Sequence, residues 1–160
     1  DFINPEELKK RPHLIYQYPG TRFSKTMTTD WDMTAHELAD LRNFLQYMSV
    51  ILCYASSISI DAAVLDKPVI TINYEVKDNA SLAKSPTTFY TMTHYAGALA
   101  TGGIHLASSE DDLVATVNNY LKDPSIDREN RKKLALRQCT YLDGKSAERV
   151  ADVVTDFLKK

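Results

Sequence analysis

Ser49–Tyr74 reads SVILCYASSISIDAAVLDKPVITINY, and this stretch decides the fold. Val50–Tyr54 is a continuous apolar, β-branched run, as expected of a parallel strand covered on both faces. Ser59–Leu65 follows as a short helix that closes near Asp66-Lys67-Pro68, since proline cannot continue a helix. Val69–Asn73 is a second buried strand. Ser56, Ser57 and Ser59 fall where the first strand hands over to the helix N-terminus. Free N–H groups and the positive end of the helix dipole favour an anion there. Hydroxyls from the three serines, with the amides around Ile58 to Ile60, form an array suited to phosphate or diphosphate. A serine that merely caps the helix is the alternative. Asp61, in the first helical turn, either orients a serine or a substrate hydroxyl or stabilises the helix.

Working outward, His13–Tyr18 reads as a strand ending at Pro19-Gly20, and Thr21–Asp32 as a polar loop. Thr34 and Glu37 have capping-box spacing ahead of a helix with Leu38, Leu41, Phe44, Leu45 and Met48 on one face. Lys77–Tyr95 is a long polar and aromatic stretch without period, of the kind that often carries function. Within it, His94 is either a phosphate contact or proton donor, or a surface or loop-anchoring histidine. Gly102-Gly103 permits close backbone approach to a ligand, or is only a turn. Ile104–Ala107 is a brief strand. Helices are expected from Ser108 or Ser109 to Leu121, from Asp127 to about Leu142, and from Ser146 to Leu158.

Strand–helix alternation of this kind predicts an α/β fold, a Rossmann-like three-layer αβα sandwich with a mainly parallel sheet and right-handed crossovers. Ligands of such sheets sit at the carboxyl ends of the strands. The 160 residues suffice for a single domain over 1–160. The chain starts without methionine, which points to an excised C-terminal domain of a longer two-domain protein.

Composition narrows the function. Hydrophobic residues make up 44% and charged residues 25%, as in an ordinary soluble protein. A formal net charge of −2 offers no global field for nucleic acid or anionic lipid. No apolar run is long enough to span a bilayer, so association with a membrane is expected only through other domains. Cys53 and Cys139 form no metal spacing or disulfide framework, and the four histidines form no zinc pattern. No metal and no cofactor are expected, and a reducing, cytoplasmic setting is. Neither a GxGxxG fingerprint nor a Walker A sequence is present.

Ser49–Ala63 together with Leu65–Ile70, and Leu142–Val150 (LDGKSAERV), resembles the C-terminal domain of GT-B glycosyltransferases. It is closest in style to the CDP-glycerol glycerophosphotransferase-like group, and the likeness runs from Pro12 to Leu158. The resemblance implies one half of a GT-B fold that binds a nucleotide-activated donor, a nucleotide sugar or CDP-alcohol. Ser56, Ser57 and Ser59 would touch the donor phosphates, and His94, Gly102 and Gly103 would lie near the donor. The acceptor and the catalytic base would belong to a missing N-terminal domain, so no catalytic residue is assigned here, and the domain alone is expected to be inactive. The full protein would act at the inner face of the membrane, building a cell-surface polysaccharide. One departure is plain: relatives often carry Arg-Pro-His-Pro after the first strand, and this chain has Tyr16-Gln17-Tyr18-Pro19. Either the phosphates then rely on the serine turn, His94, and Arg22 or Lys25, or the donor is bound differently. The Glu-x7-Glu arrangement of many retaining GT-B enzymes is also not evident. Two other readings use the same residues: a nucleotide-sugar 2-epimerase-like domain, and a non-catalytic α/β binding module.

Overall fold

The computed structural model describes residues 5–17, 20–22, 31–75 and 86–159. The chain divides into two compact units, Asp1–Phe44 and Leu45–Lys160.

In the first unit, helix α1 (Pro5–Lys9) carries the exposed ion pairs Lys9–Glu6 and Lys10–Glu7. The expected strand at His13–Tyr18 is not formed: residues 13–17 have no regular structure, and Tyr18 lies outside the described residues. Ile15 is 89% exposed and Leu14 and Tyr16 are half exposed, and among the described residues no strand pairs with this segment. The region expected to be a polar loop instead contributes a two-residue antiparallel ribbon. It joins β1 (Thr21–Arg22) and β2 (Trp31–Asp32), with Thr21 opposite Asp32. Helix α2 (Ala35–Tyr47) starts with the expected capping box. The Thr34 N–H donates to Glu37 Oε2 at 2.7 Å, and the Glu37 N–H donates to Thr34 Oγ1 at 3.3 Å.

The second unit is a parallel α/β sheet. Strands β3 (Ile51–Cys53), β4 (Val69–Ile72) and β5 (His105–Ala107) lie in that order. Ile51 pairs with Val69, and Ile72 with Ala107. β4 matches its sequence: Val69, Ile70 and Thr71 are essentially inaccessible, as a central strand covered on both faces requires. β3 differs, because among the described residues it is an edge strand and Leu52 is half exposed. Alternation along β4 sends Ile70 to one face and Thr71 to the other. On the Ile70 face, Ala107 and Tyr120 complete a cluster with Leu113 and Val117 of α6 (Glu110–Lys122). On the Thr71 face, Tyr95 of α5 (Thr93–Leu99) packs with its hydroxyl 3.2 Å from Thr71 Oγ1. Helix α3 (Ile58–Val64) packs on α7 (Arg128–Cys139). The preceding helix α4 is Pro86–Tyr90, and the final helix α8 is Ser146–Leu158. Among the described residues no helix is long and apolar enough to cross a membrane.

One polar network fixes α3 to α7. Arg131 is 1% exposed, and each guanidinium nitrogen has a partner. Nε donates to Asp66 Oδ1 (2.9 Å), Nη1 to the Ile126 carbonyl (2.5 Å) and Nη2 to the Pro124 carbonyl (2.7 Å). Arg128 Nε holds the other Asp66 oxygen at 2.7 Å. Burial pushes the Asp66 pKa up, but hydrogen bonds from Arg131 and Arg128 outweigh it and hold the carboxyl below its ordinary value. Asp66 has a left-handed backbone (φ 55°), which aspartate tolerates better than most residues. Nearby, Tyr120 donates to Asp127 Oδ2 at 2.8 Å, and burial with that bond keeps the phenol protonated well above the usual range.

A second network caps α6. Ser109 Oγ accepts from the Asp112 N–H, while Asp112 Oδ2 accepts from the Ser108 N–H at 2.9 Å. Asp112 Oδ1 lies 3.0 Å from His105 Nε2, and Thr116 Oγ1 is 3.1 Å from the same nitrogen. The Ser108 amide first, and His105 next, pull the Asp112 pKa down to about 2.

Two predictions follow from these networks. Asp66→Ala strands a buried guanidinium and is expected to lower stability by about 3 kcal/mol, read from the denaturant midpoint. Acid sensitivity is the second. Asp112 and Asp66 have native pKa values below the unfolded value of about 4. The stability they contribute is therefore complete above that pH and lost as pH falls from about 4 toward 2. Unfolding measured from pH 6 to 2 should show this slope, and Asp112→Asn should flatten it.

Candidate functional site at the carboxyl edge of the sheet

All three strands run the same way, so their carboxyl ends share one edge. The turn Tyr54–Ser57 leaves β3 at this edge and enters α3. Ser56 Oγ accepts from the Ile58 N–H at 3.3 Å, which leaves its own proton free to donate outward. Ser57, the first residue before α3, is exposed and makes no side-chain capping bond. Ser59 is fully buried, and its hydroxyl donates to the Ser56 carbonyl at 2.6 Å. Ser59 therefore braces the turn.

The amides expected to receive an anion are already engaged. Ile58 N–H bonds Ser56 Oγ, Ser59 N–H bonds the Ser56 carbonyl, and Ile60 N–H bonds the Ser57 carbonyl. What the turn offers outward are the hydroxyl protons of Ser56 and Ser57.

These two serines line a cavity of about 160 Å³ together with His94 of α5 and Gln138 of α7. Phe89, Met92 and Tyr95 supply apolar wall. That volume is below the several hundred Å³ of typical whole-ligand pockets, so it suits a phosphate-sized part of a larger molecule. His94 is exposed and arrives there because α4 and α5 are pinned to the strand ends. Tyr90 donates to the Ile72 carbonyl, Tyr95 meets Thr71, and the two rings lie 5.7 Å apart. Burial, reinforced by Tyr95, raises the Tyr90 pKa far above the tyrosine range, so this hydroxyl remains a donor. Thr71 also contacts the Cys53 sulfur at 3.8 Å, and burial pushes the Cys53 thiol pKa up, away from a reactive thiolate.

Asp61, Gly102 and Gly103 do not line this cavity. Asp61 is exposed on α3. Gly102 and Gly103 precede β5 and therefore lie at its amino end, the opposite edge of the sheet. A Cβ on Gly103 would stand 2.7 Å from the Asn130 carbonyl oxygen and 3.0 Å from Arg131 Cα. Gly102 has φ +72° against the Asn130 side chain. The pair is needed so that the chain can pass close to α7. Arg22 lies on β1 in the other unit, and Lys25 lies outside the described residues. Sequence reasoning missed Gln138, which has no motif and reaches the cavity only because α7 packs beside α5. Among the described residues no three His, Cys, Asp or Glu side chains gather to hold a metal ion.

Comparison with known proteins agrees with the resemblance. The family described as CDP-Glycerol:Poly(glycerophosphate) glycerophosphotransferase matches residues 10–156. Neither the curated proteins nor the solved structures gave a match. With nearly its whole length matched, the chain belongs to the CDP-glycerol:poly(glycerophosphate) glycerophosphotransferase family.

Proposed function

We propose that this chain is the donor-binding domain of a transferase that moves a glycerophosphate group from a CDP-alcohol to a polymeric acceptor. The observation that carries the reading is the convergence of Ser56, Ser57 and His94 on one phosphate-sized cavity at the carboxyl edge. The family favours a transferase over an epimerase-like domain or a non-catalytic module.

In this reading an acceptor hydroxyl oxygen attacks the phosphorus that bears glycerol. The bridging P–O bond breaks, CMP leaves, and the acceptor proton passes to a base on a facing domain, as in a GT-B arrangement. The residues of this chain act on the leaving group. The Ser56 and Ser57 hydroxyls and a His94 N–H donate to the phosphate oxygens, where negative charge grows. A wall of Phe89, Met92 and Tyr95 keeps water from competing for those bonds. Ser59 takes part by holding the Ser56 carbonyl and so the turn. The reaction is placed on the cytoplasmic side, where CDP-alcohols are made.

Calorimetric titration of the full chain tests this. CDP-glycerol should bind, and UDP- and GDP-sugars should bind more weakly. Ser57→Ala and His94→Ala should each lose about 1–2 kcal/mol of affinity with unchanged stability. Ser59→Ala should instead lower the unfolding midpoint, because its hydroxyl is spent inside the protein. Full affinity in both Ser57→Ala and His94→Ala would overturn the reading.

A further inference from the structure

A diphosphate carries negative charge that two serine hydroxyls cannot neutralise, and the amides of the serine turn are spent. A cation must come from elsewhere in the fold, and the charged residues near the cavity can be sorted by what already holds them.

Among the arginines of the larger unit, Arg128 and Arg131 are held by Asp66, and Arg149 is held by Asp143. Lys132 pairs with Glu129. Arg137 differs. It is exposed in the last turn of α7, and no carboxylate among the described residues pairs with it. Its guanidinium lies across α5 at Gly97, with Nη2 3.4 Å from where a Cβ would stand. A Cβ there would be in ordinary van der Waals contact with the planar group, which rests against the α5 surface at this point. Gly97 is three residues after His94, hence a neighbour on the α5 surface. Gln138, the next residue along α7, lines the cavity itself. A favourable helix dipole accounts for a cation in the last turn of α7, but not for its lying against the glycine beside His94.

We propose that Arg137 is the cationic contact for the donor diphosphate, reaching over Gly97 to the phosphate that Ser56, Ser57 and His94 hold. The proposal rests on the reading of the cavity as the donor-phosphate site. Arginine suits the role because its fork can take two phosphate oxygens at once. Its position would supply the charge from α7, a helix distant in sequence from the serine turn.

The experiment titrates CDP-glycerol into the full chain and its Arg137→Ala, Arg137→Gln, Arg137→Lys, Ser57→Ala and Lys132→Ala variants at several salt concentrations. Thermal unfolding is recorded for each. Arg137→Ala and Arg137→Gln should weaken binding by about tenfold at unchanged unfolding temperature. Both should also flatten the salt dependence of affinity, which a merely structural role would not do. Arg137→Lys should recover part of the affinity, and Lys132→Ala should match the parent. Wild-type affinity and salt slope in Arg137→Gln, with Ser57→Ala still impaired, would overturn the role of Arg137 and leave the donor site standing. Loss of affinity only in step with loss of stability would also overturn it. No binding by the parent chain would overturn both readings.

Discussion

The arrangement of the larger unit depends on the buried guanidinium of Arg131. One side chain is bonded to Asp66, two residues beyond α3, to two carbonyls of the segment before α7, and through its own backbone to α7 itself. A charge this deeply buried is tolerable only when every donor is satisfied, and here each nitrogen is. The turn Tyr54–Ser57 lies at one end of α3, and Gln138 near the far end of α7. Fixing the two helices against each other fixes what those ends present. The same packing explains the glycine pair before β5, since Gly103 passes so close to Asn130 and Arg131 that no side chain fits.

The chemistry of the site follows from which donors remain after folding. A strand–turn–helix with three serines suggests an amide cradle, but the turn closes on itself and uses its amides internally. That changes the kind of recognition. In the proposed reading, hydroxyl protons and an imidazole orient the phosphate, and the charge comes from a side chain that the fold delivers. The hydroxyls of Tyr90 and Tyr95 are likewise used inside, clamping α4 and α5 to the strand ends so that His94 stands beside the serines.

Much of this was legible in the sequence, for physical reasons. Val69–Ile72 is apolar throughout because a central parallel strand is covered on both faces, and the Thr34–Glu37 box announces α2 locally. The failures share a cause as well. Leu14, Ile15 and Tyr16 have strand-forming side chains, yet strand formation needs a partner that the local sequence does not reveal. α4 and α5 are five and seven residues long, too short to show a period. The Gly102-Gly103 motif is silent about which end of the strand it occupies, and only the sheet shows that it stands at the amino end of β5. Asp66 and Arg131 are 65 positions apart, and Gln138 meets the cavity only through helix packing. Tertiary contacts of that kind leave no local pattern.

The central claim is that the donor phosphate binds at the carboxyl edge of the sheet, between the serine turn and α5. Backbone amide NMR of the full chain titrated with CDP-glycerol tests it most directly. The account predicts that the resonances of Ser56, Ser57, His94 and Gln138 move in concert while those of Gly102 and Gly103 stay in place. Movement centred on Gly102 and Gly103, with the serine turn and His94 unaffected, would contradict it.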